Sequence, residues 1–256
     1  MMEKKIDRTA PPARAFAWPG GPIGVILIHG FASSLAFLSD LGRTLAAKGY
    51  SVVGVRLAGH GTDLLDLQQS TAEDWSASAR SSLGLFPTNV QKIVVVGESM
   101  GALLGLRLAR EWPSRIRGLV LLAPPLRQRN EMGRRILSRL LPPRMRWKKR
   151  WVNKVNRADY LKAGSLLEVT AQSYREFLRL VDEERRHLRQ LGVPILAFFG
   201  DRDYATDPKS IDDLRAVLPA GQFRVKLIPG ASHHLAHLTQ QGEVENSIID
   251  FIEELP

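Results

Sequence analysis

The stretch that most limits what this chain can fold into is Ile93-Val94-Val95-Val96-Gly97-Glu98-Ser99-Met100-Gly101-Ala102-Leu103-Leu104. A β-branched run, which favours strand, passes through Gly-x-Ser-x-Gly into a Leu/Ala-rich segment, Ala102 to Arg110, which favours helix. A strand that becomes a helix this abruptly needs a strained turn, with residues lacking side-chain bulk two before and two after its tip. Gly97 and Gly101 fill those places. The pattern is a nucleophile elbow, which lifts the Ser99 hydroxyl over the carboxyl edge of a sheet. It leaves the Met100 N–H at a helix N-terminus, where the dipole favours a developing oxyanion. The pentapeptide alone should arise by chance in roughly one chain in ten of this length, at ~7% Gly and ~7% Ser; the strand before it and the helix after it give it weight.

The rest of the chain repeats the theme. Short apolar runs ending in Gly alternate with amphipathic helical patterns, as a parallel sheet with crossover helices requires. Strands are predicted at Ile23–Ile28, Val52–Val55, Gly118–Leu122, Pro194–Phe199 and Phe223–Ile228. Helices are predicted along the Leu35, Leu38, Leu41, Leu45 stripe, around Glu73 to Leu85, from Asp207-Pro208 onward, and near Glu243 to Glu254. From Pro124-Pro125 to about Leu191 no strand pattern is visible, only helical stripes such as Ile136, Leu137, Leu140, Leu141 and Tyr174, Phe177, Leu178, Val181. The predicted fold class is α/β: a mostly parallel sheet flanked by helices, its core at 1–123 and 192–256, with a helical insertion at 124–191.

At 256 residues with 44% hydrophobic content, the chain can bury one large core. It has no cysteine, so disulfides, thiolate metal sites and a cysteine nucleophile are excluded. Met1 to Gly21 carries charges and prolines without an apolar h-region, and no apolar run approaches the ~18 residues of a membrane span. A cytoplasmic protein is the expectation. The net charge of +10 would suggest nucleic acid as a partner, but between Pro124 and Val193 there are 18 Lys+Arg against 7 Asp+Glu. The basic character thus belongs to the insertion, no recognition motif accompanies it, and nucleic-acid binding is not expected.

A serine hydroxyl becomes a nucleophile when a histidine takes its proton and an acid holds that histidine's tautomer. On an elbow architecture the acid and then the histidine follow in loops after later strands. The sequence has Gly200-Asp201-Arg202-Asp203 after one strand and Pro229-Gly230-Ala231-Ser232-His233-His234-Leu235 after the next. With Ser99 these loops stand in the right order. At this point the chain resembles the α/β-hydrolase family, most closely monoacylglycerol lipases and small bacterial carboxylesterases, over essentially its whole length and only loosely in the insertion.

The resemblance implies the α/β-hydrolase fold and selects residues. In such enzymes the acid follows as Gly-x-x-Asp, which picks Asp203 over Asp201, and the base follows a Gly-Ala-x step, which picks His233 over His234. Asp201, Asp207 and His234 are read as loop hydrogen-bonding, capping or exposed residues. The loop Ile28-His29-Gly30-Phe31-Ala32-Ser33-Ser34 resembles the family's His-Gly-x-x step, so the backbone N–H of Phe31 joins that of Met100 as an oxyanion donor. His29 and His60 are read as loop braces. His237 lies four residues after His233, but without a carboxylate or thiolate at ligand spacing a metal site is not expected. No cofactor is implied.

The implied reaction is hydrolysis of a lipophilic acyl ester through an acyl-serine. A thioesterase, lactonase or carbon–carbon bond hydrolase would use the same residues, and a scaffold with a basic binding surface is an alternative of another class. By its position the insertion resembles a cap. Arg134-Arg135-Ile136-Leu137-Ser138-Arg139-Leu140-Leu141 and Arg144-Met145-Arg146-Trp147-Lys148-Lys149-Arg150-Trp151 mix cations with bulky apolar residues. This composition suits an interfacial helix on anionic lipid, and equally a solvated face whose apolar side packs on the core.

Overall fold

The structure, a computed structural model, describes residues 14–148, 161, 163–219, 221–235 and 241–255. In chain order the first half contains β1 (Phe16–Trp18), β2 (Ile23–Ile28), α1 (Ser39–Ala47), β3 (Ser51–Val55), α2 (Leu64–Gln69), α3 (Ala72–Ser81), β4 (Lys92–Glu98), α4 (Met100–Glu111) and β5 (Ile116–Leu122). The second half contains α5 (Glu131–Leu140), β6 (Arg146–Lys148), β7 (Glu168–Thr170), α6 (Ala171–His187), β8 (Ile195–Gly200), α7 (Lys209–Arg215), β9 (Phe223–Ile228) and α8 (Gln241–Glu253).

Seven strands make one sheet in the order β1-β3-β2-β4-β5-β8-β9. Only β1 runs antiparallel to its neighbour; β2 through β9 in that sheet pair in parallel. The sheet is buried on both faces, so its inner strands are continuously apolar, and the two-residue period sorts each strand between two cores. Val25, Leu27, Val94, Val96, Val120 and Leu122 face α1 and α8. Ile26, Ile28, Ile93, Val95, Leu119 and Leu121 face α3, α4 and α6. β4 sits between β2 and β5 with Gly97 opposite Ile28 and Glu98 opposite Leu122, which puts the elbow at the middle of the sheet's carboxyl edge.

The insertion differs from its reading in one respect. Residues 124–191 contain two short strands, β6 and β7, paired antiparallel with Trp147 opposite Val169. Three residues are too few for alternation to show, and this ribbon is held by packing: the Trp147 ring meets Tyr174 edge-on, centroids 5.3 Å apart. The three-residue β1 and six-residue α2 were also absent from the sequence pattern, for the same reason of length.

Much of the insertion's basic content is internally engaged. Arg135 pairs with Glu131 and Asp182, Arg185 with Glu131, and Arg175 donates to the carbonyls of Ser138 and Leu141. Met132, Ile136 and Leu140 remain exposed on α5, whereas Lys149, Arg150 and Trp151 fall outside the described residues. Among the described residues, no helix is long and apolar enough to cross a membrane.

Candidate active site

Ser99 stands between β4 and α4 with φ 53° and ψ −115°, a strained conformation for a residue bearing a Cβ. Its flanking glycines are required by contact. A Cβ on Gly97 would lie 2.2 Å from the Gly101 carbonyl oxygen, and one on Gly101 would lie 2.0 Å from that of Ile28.

The loop after β8 brings Asp203, and the loop after β9 brings His233, to this serine. The Ser99 hydroxyl lies 2.9 Å from His233 Nε2, and His233 Nδ1 lies 2.8 Å from Asp203 Oδ2. The other Asp203 oxygen accepts the backbone N–H groups of Ala205 and Thr206 at 2.7 and 2.9 Å. Burial pushes the Asp203 carboxyl up, but His233 and the two amides outweigh it and hold the group below the ordinary aspartate range. An ionised Asp203 accepts only, so the ring carries its proton on Nδ1 and presents the bare Nε2 to the serine hydroxyl. This arrangement lets a histidine take a serine proton.

Met100 is the first residue of α4, so its N–H is among the donors with no intrahelical acceptor. The loop after β2 comes close beside it: a Cβ on Gly30 would meet the Ser99 Cβ at 3.2 Å, and the Ser33 N–H closes a turn onto the Gly30 carbonyl with Phe31 and Ala32 at its tip. The fully buried His29 braces this loop. Its Nε2 accepts the Leu57 N–H at 3.3 Å and its Nδ1 meets the Gly30 carbonyl at 3.0 Å; burial lowers its pKa to about 4, so the ring stays neutral. His60 is likewise buried, with Nδ1 on the Ala58 carbonyl.

Ser99 and His233 open onto a cavity of about 520 Å³. Leu137, Trp147, Val169, Tyr174 and Phe177, all from residues 124–191, line it opposite Phe31. Phe31 stacks on Phe177 with centroids 5.0 Å apart, and the Leu166 N–H bonds the Ala32 carbonyl, so the loop after β2 and residues 124–191 are packed together.

The remaining candidates separate cleanly. Asp201 accepts the Gly230 N–H at 2.8 Å, tying the acid and histidine loops together, and Asp207 accepts the Lys209 N–H at the start of α7. His234 departs from its reading as a loop or exposed residue. It lines the cavity, stacks on Phe37, and lies 3.5 Å from the buried Glu98 carboxylate. Glu98 and Gln128 were missed as site residues. A lone carboxylate ending an otherwise apolar strand was the signal for Glu98; Gln128 had none. Among the described residues no three His, Asp or Glu side chains converge as a metal site, and His237 lies outside them.

A parallel sheet whose central strand ends in a serine elbow, with an aspartate and a histidine arriving in that order from later strand ends, defines an α/β hydrolase. The chain belongs to the family described as serine aminopeptidase, S33, whose model matches residues 23–239. It is 31% identical over 204 residues, 78% of each chain, to the thermostable monoacylglycerol lipase of Bacillus sp. (strain H-257). It is 29% identical over 119 residues to the carboxylesterase of Bacillus subtilis (strain 168), 46% of this chain and 48% of that one. Among solved structures, one of the metagenome-derived lipolytic enzymes LipS and LipT superposes with a TM-score of 0.82 at 20% identity, covering 95% of this chain and 98% of the other. The monoacylglycerol lipase of Paleococcus ferrophilus gives 0.76 at 18% identity over 93% and 97%.

Proposed function

We propose that the protein hydrolyses carboxylic esters of lipophilic acids, in the manner of a monoacylglycerol lipase or carboxylesterase, through Ser99, His233 and Asp203. The observation that carries this reading is the Ser99 hydroxyl, 2.9 Å from His233 Nε2 and open to a largely apolar cavity. The relatedness to the Bacillus lipase and esterase supports the substrate class.

The steps follow from the parts. Ser99 Oγ bonds to the ester carbonyl carbon as its proton passes to His233 Nε2, and the carbonyl electron pair moves onto oxygen, received by the N–H groups of Phe31 and Met100. Collapse breaks the carbon–oxygen bond, and His233 gives its proton to the departing alkoxide. Water then loses a proton to His233 and attacks the acyl-serine; collapse releases the acid and returns the proton to Ser99. Asp203 fixes the ring tautomer and stabilises the imidazolium formed in each half. Residues 124–191 serve as the cap, since their side chains form the wall facing Ser99.

Initial rates on p-nitrophenyl esters from acetyl to palmitoyl, with Ser99→Ala alongside, test this. Turnover by the wild type with loss of about 10³-fold or more in the variant is expected; a folded wild type inert across the series sinks the reading. The acyl length giving the highest rate reports how far the cavity extends.

A further inference from the structure

One polar group in the cavity has no place in the steps above. Gln128 is 5% exposed and lines the cavity, and its Nε2 has no hydrogen-bond partner among the described residues. The end of the amide that faces Tyr174 follows from where the phenol proton goes. The Tyr174 O–H donates to Gln128 Oε1 at 2.6 Å; turned the other way, the amide would leave the phenol proton without this acceptor. With Oε1 occupied, both N–H bonds of the amide are left without an acceptor among the described residues, on a side chain that lines the cavity. A buried donor without an acceptor is unfavourable, and a ligand acceptor would relieve it.

The other charged groups on the cavity wall agree in sign. Arg134 and Lys148 line it, and among the described residues no carboxylate does. The nearby Glu131 carboxylate is engaged by Arg135, Arg185 and the Gln128 backbone N–H. The cap thus offers donors and positive charge within an otherwise apolar cavity.

The geometry points to a substrate subsite at Gln128, Arg134 and Lys148 that takes an anionic, acceptor-only group, a carboxylate or a phosphate monoester, carried by the same lipophilic ester whose carbonyl meets Ser99. Gln128 is the specificity-determining residue and Tyr174 positions its amide. The inference rests on the ester-hydrolase reading and narrows its substrates.

The test compares esters matched except for the anion: the mono-p-nitrophenyl ester of an α,ω-dicarboxylic acid against the p-nitrophenyl ester of the monocarboxylic acid of equal length, and a lysophosphatidic acid against the monoacylglycerol of equal acyl chain. The wild type is expected to favour the anionic member of at least one pair by about tenfold in kcat/KM, chiefly through KM. Gln128→Leu and Arg134→Gln should bring that ratio toward one. Gln128→Glu keeps the acceptor for Tyr174 and puts a carboxylate where the amide donor was, so it should invert the ratio, which a merely structural role for Gln128 would not do. Equal or better use of both neutral members, or a ratio unmoved by all three variants, overturns the subsite while leaving Ser99-dependent ester hydrolysis standing. Absence of hydrolysis on every ester sinks both.

Discussion

The Glu98 carboxylate, fully buried at the end of β4, lies 3.5 Å from Nδ1 of His234, and the His234 ring stands nearly perpendicular to that of His233, centroids 5.5 Å apart. Two histidine–carboxylate pairs therefore meet beside one serine, and they do different work. Asp203 holds His233 against Ser99 at hydrogen-bond distance, whereas the Glu98–His234 contact is longer and lies to one side of the serine.

His234→Phe keeps a ring on Phe37 but withdraws the nitrogen from Glu98. Unfolding free energy should drop by about 2–3 kcal/mol, read as a lower urea midpoint at unchanged m-value. Adding Glu98→Leu removes the other half of the contact, so the double variant should lose less than the two single losses together. A double variant whose loss equals the sum of the single losses would show that the two side chains are not coupled.

The segment 124–191 is joined to the elbow helix by a second buried centre. Arg107 of α4, 3% exposed, donates to Glu184 of α6 at 2.7 Å and to the Ser76 hydroxyl of α3 at 2.7 Å, and pairs with Glu183 at 2.7 Å. Among the described residues, Arg107→Met leaves Glu184, itself 1% exposed, with only the 3.3 Å contact to Arg110. A loss of about 3 kcal/mol is expected in chemical denaturation. A change under 1 kcal/mol would mean that α4, α3 and α6 are held by their apolar contacts alone.

Stability should fall with acidification, His29 acting first. Unfolded, His29 titrates near its ordinary value; folded, burial pushes it down to about 4. Between about pH 6.5 and 4 the unfolded chain binds more protons, so the contribution is complete above that window and is lost as pH falls through it, on the order of 3 kcal/mol. The depressed Asp203 carboxyl works in the same direction at lower pH, its contribution being lost as pH falls through its folded value. His29→Gln, though less stable at neutral pH, should show a shallower decline between about pH 7 and 5 in urea titrations; parallel declines would assign the acid sensitivity elsewhere.

How much of this was legible in the sequence depends on how local each feature is. The elbow is a run of contiguous residues, and its glycines, strand and helix could be read without the fold. β9 was predicted with its observed bounds, and the loops after β8 and β9 were placed because each follows a predicted strand. Illegible were elements too short to show a period, such as β1 and the β6–β7 ribbon, and pairings set only by tertiary structure. Nothing near Gln128 announces Tyr174, 46 positions away, and His234 could not be placed on Glu98 until the sheet set β4 beside the histidine loop. The basic insertion was legible as a composition, but which arginines pair internally depended on the packing of α5 against α6.

Two aspartates share the Gly200-Asp201-Arg202-Asp203 loop, and composition alone leaves them equivalent. Both accept backbone N–H bonds, but only Asp203 also reaches His233. Asp203→Asn replaces an acceptor by an amide that can present N–H to Nδ1. The ring then favours the tautomer with its proton on Nε2, which cannot take the proton of Ser99. A fall in kcat of about 10³–10⁴-fold is expected, with the protein still folded. Asp201→Asn retains an oxygen for the Gly230 N–H and faces no ring, so kcat should stay within about threefold and any effect should fall on stability. Steady-state rates on one p-nitrophenyl ester, with circular dichroism to verify folding, decide between them. If the Asp201 variant were the inactive one, the acid would be misassigned, and the Asp203–His233 contact would be structural.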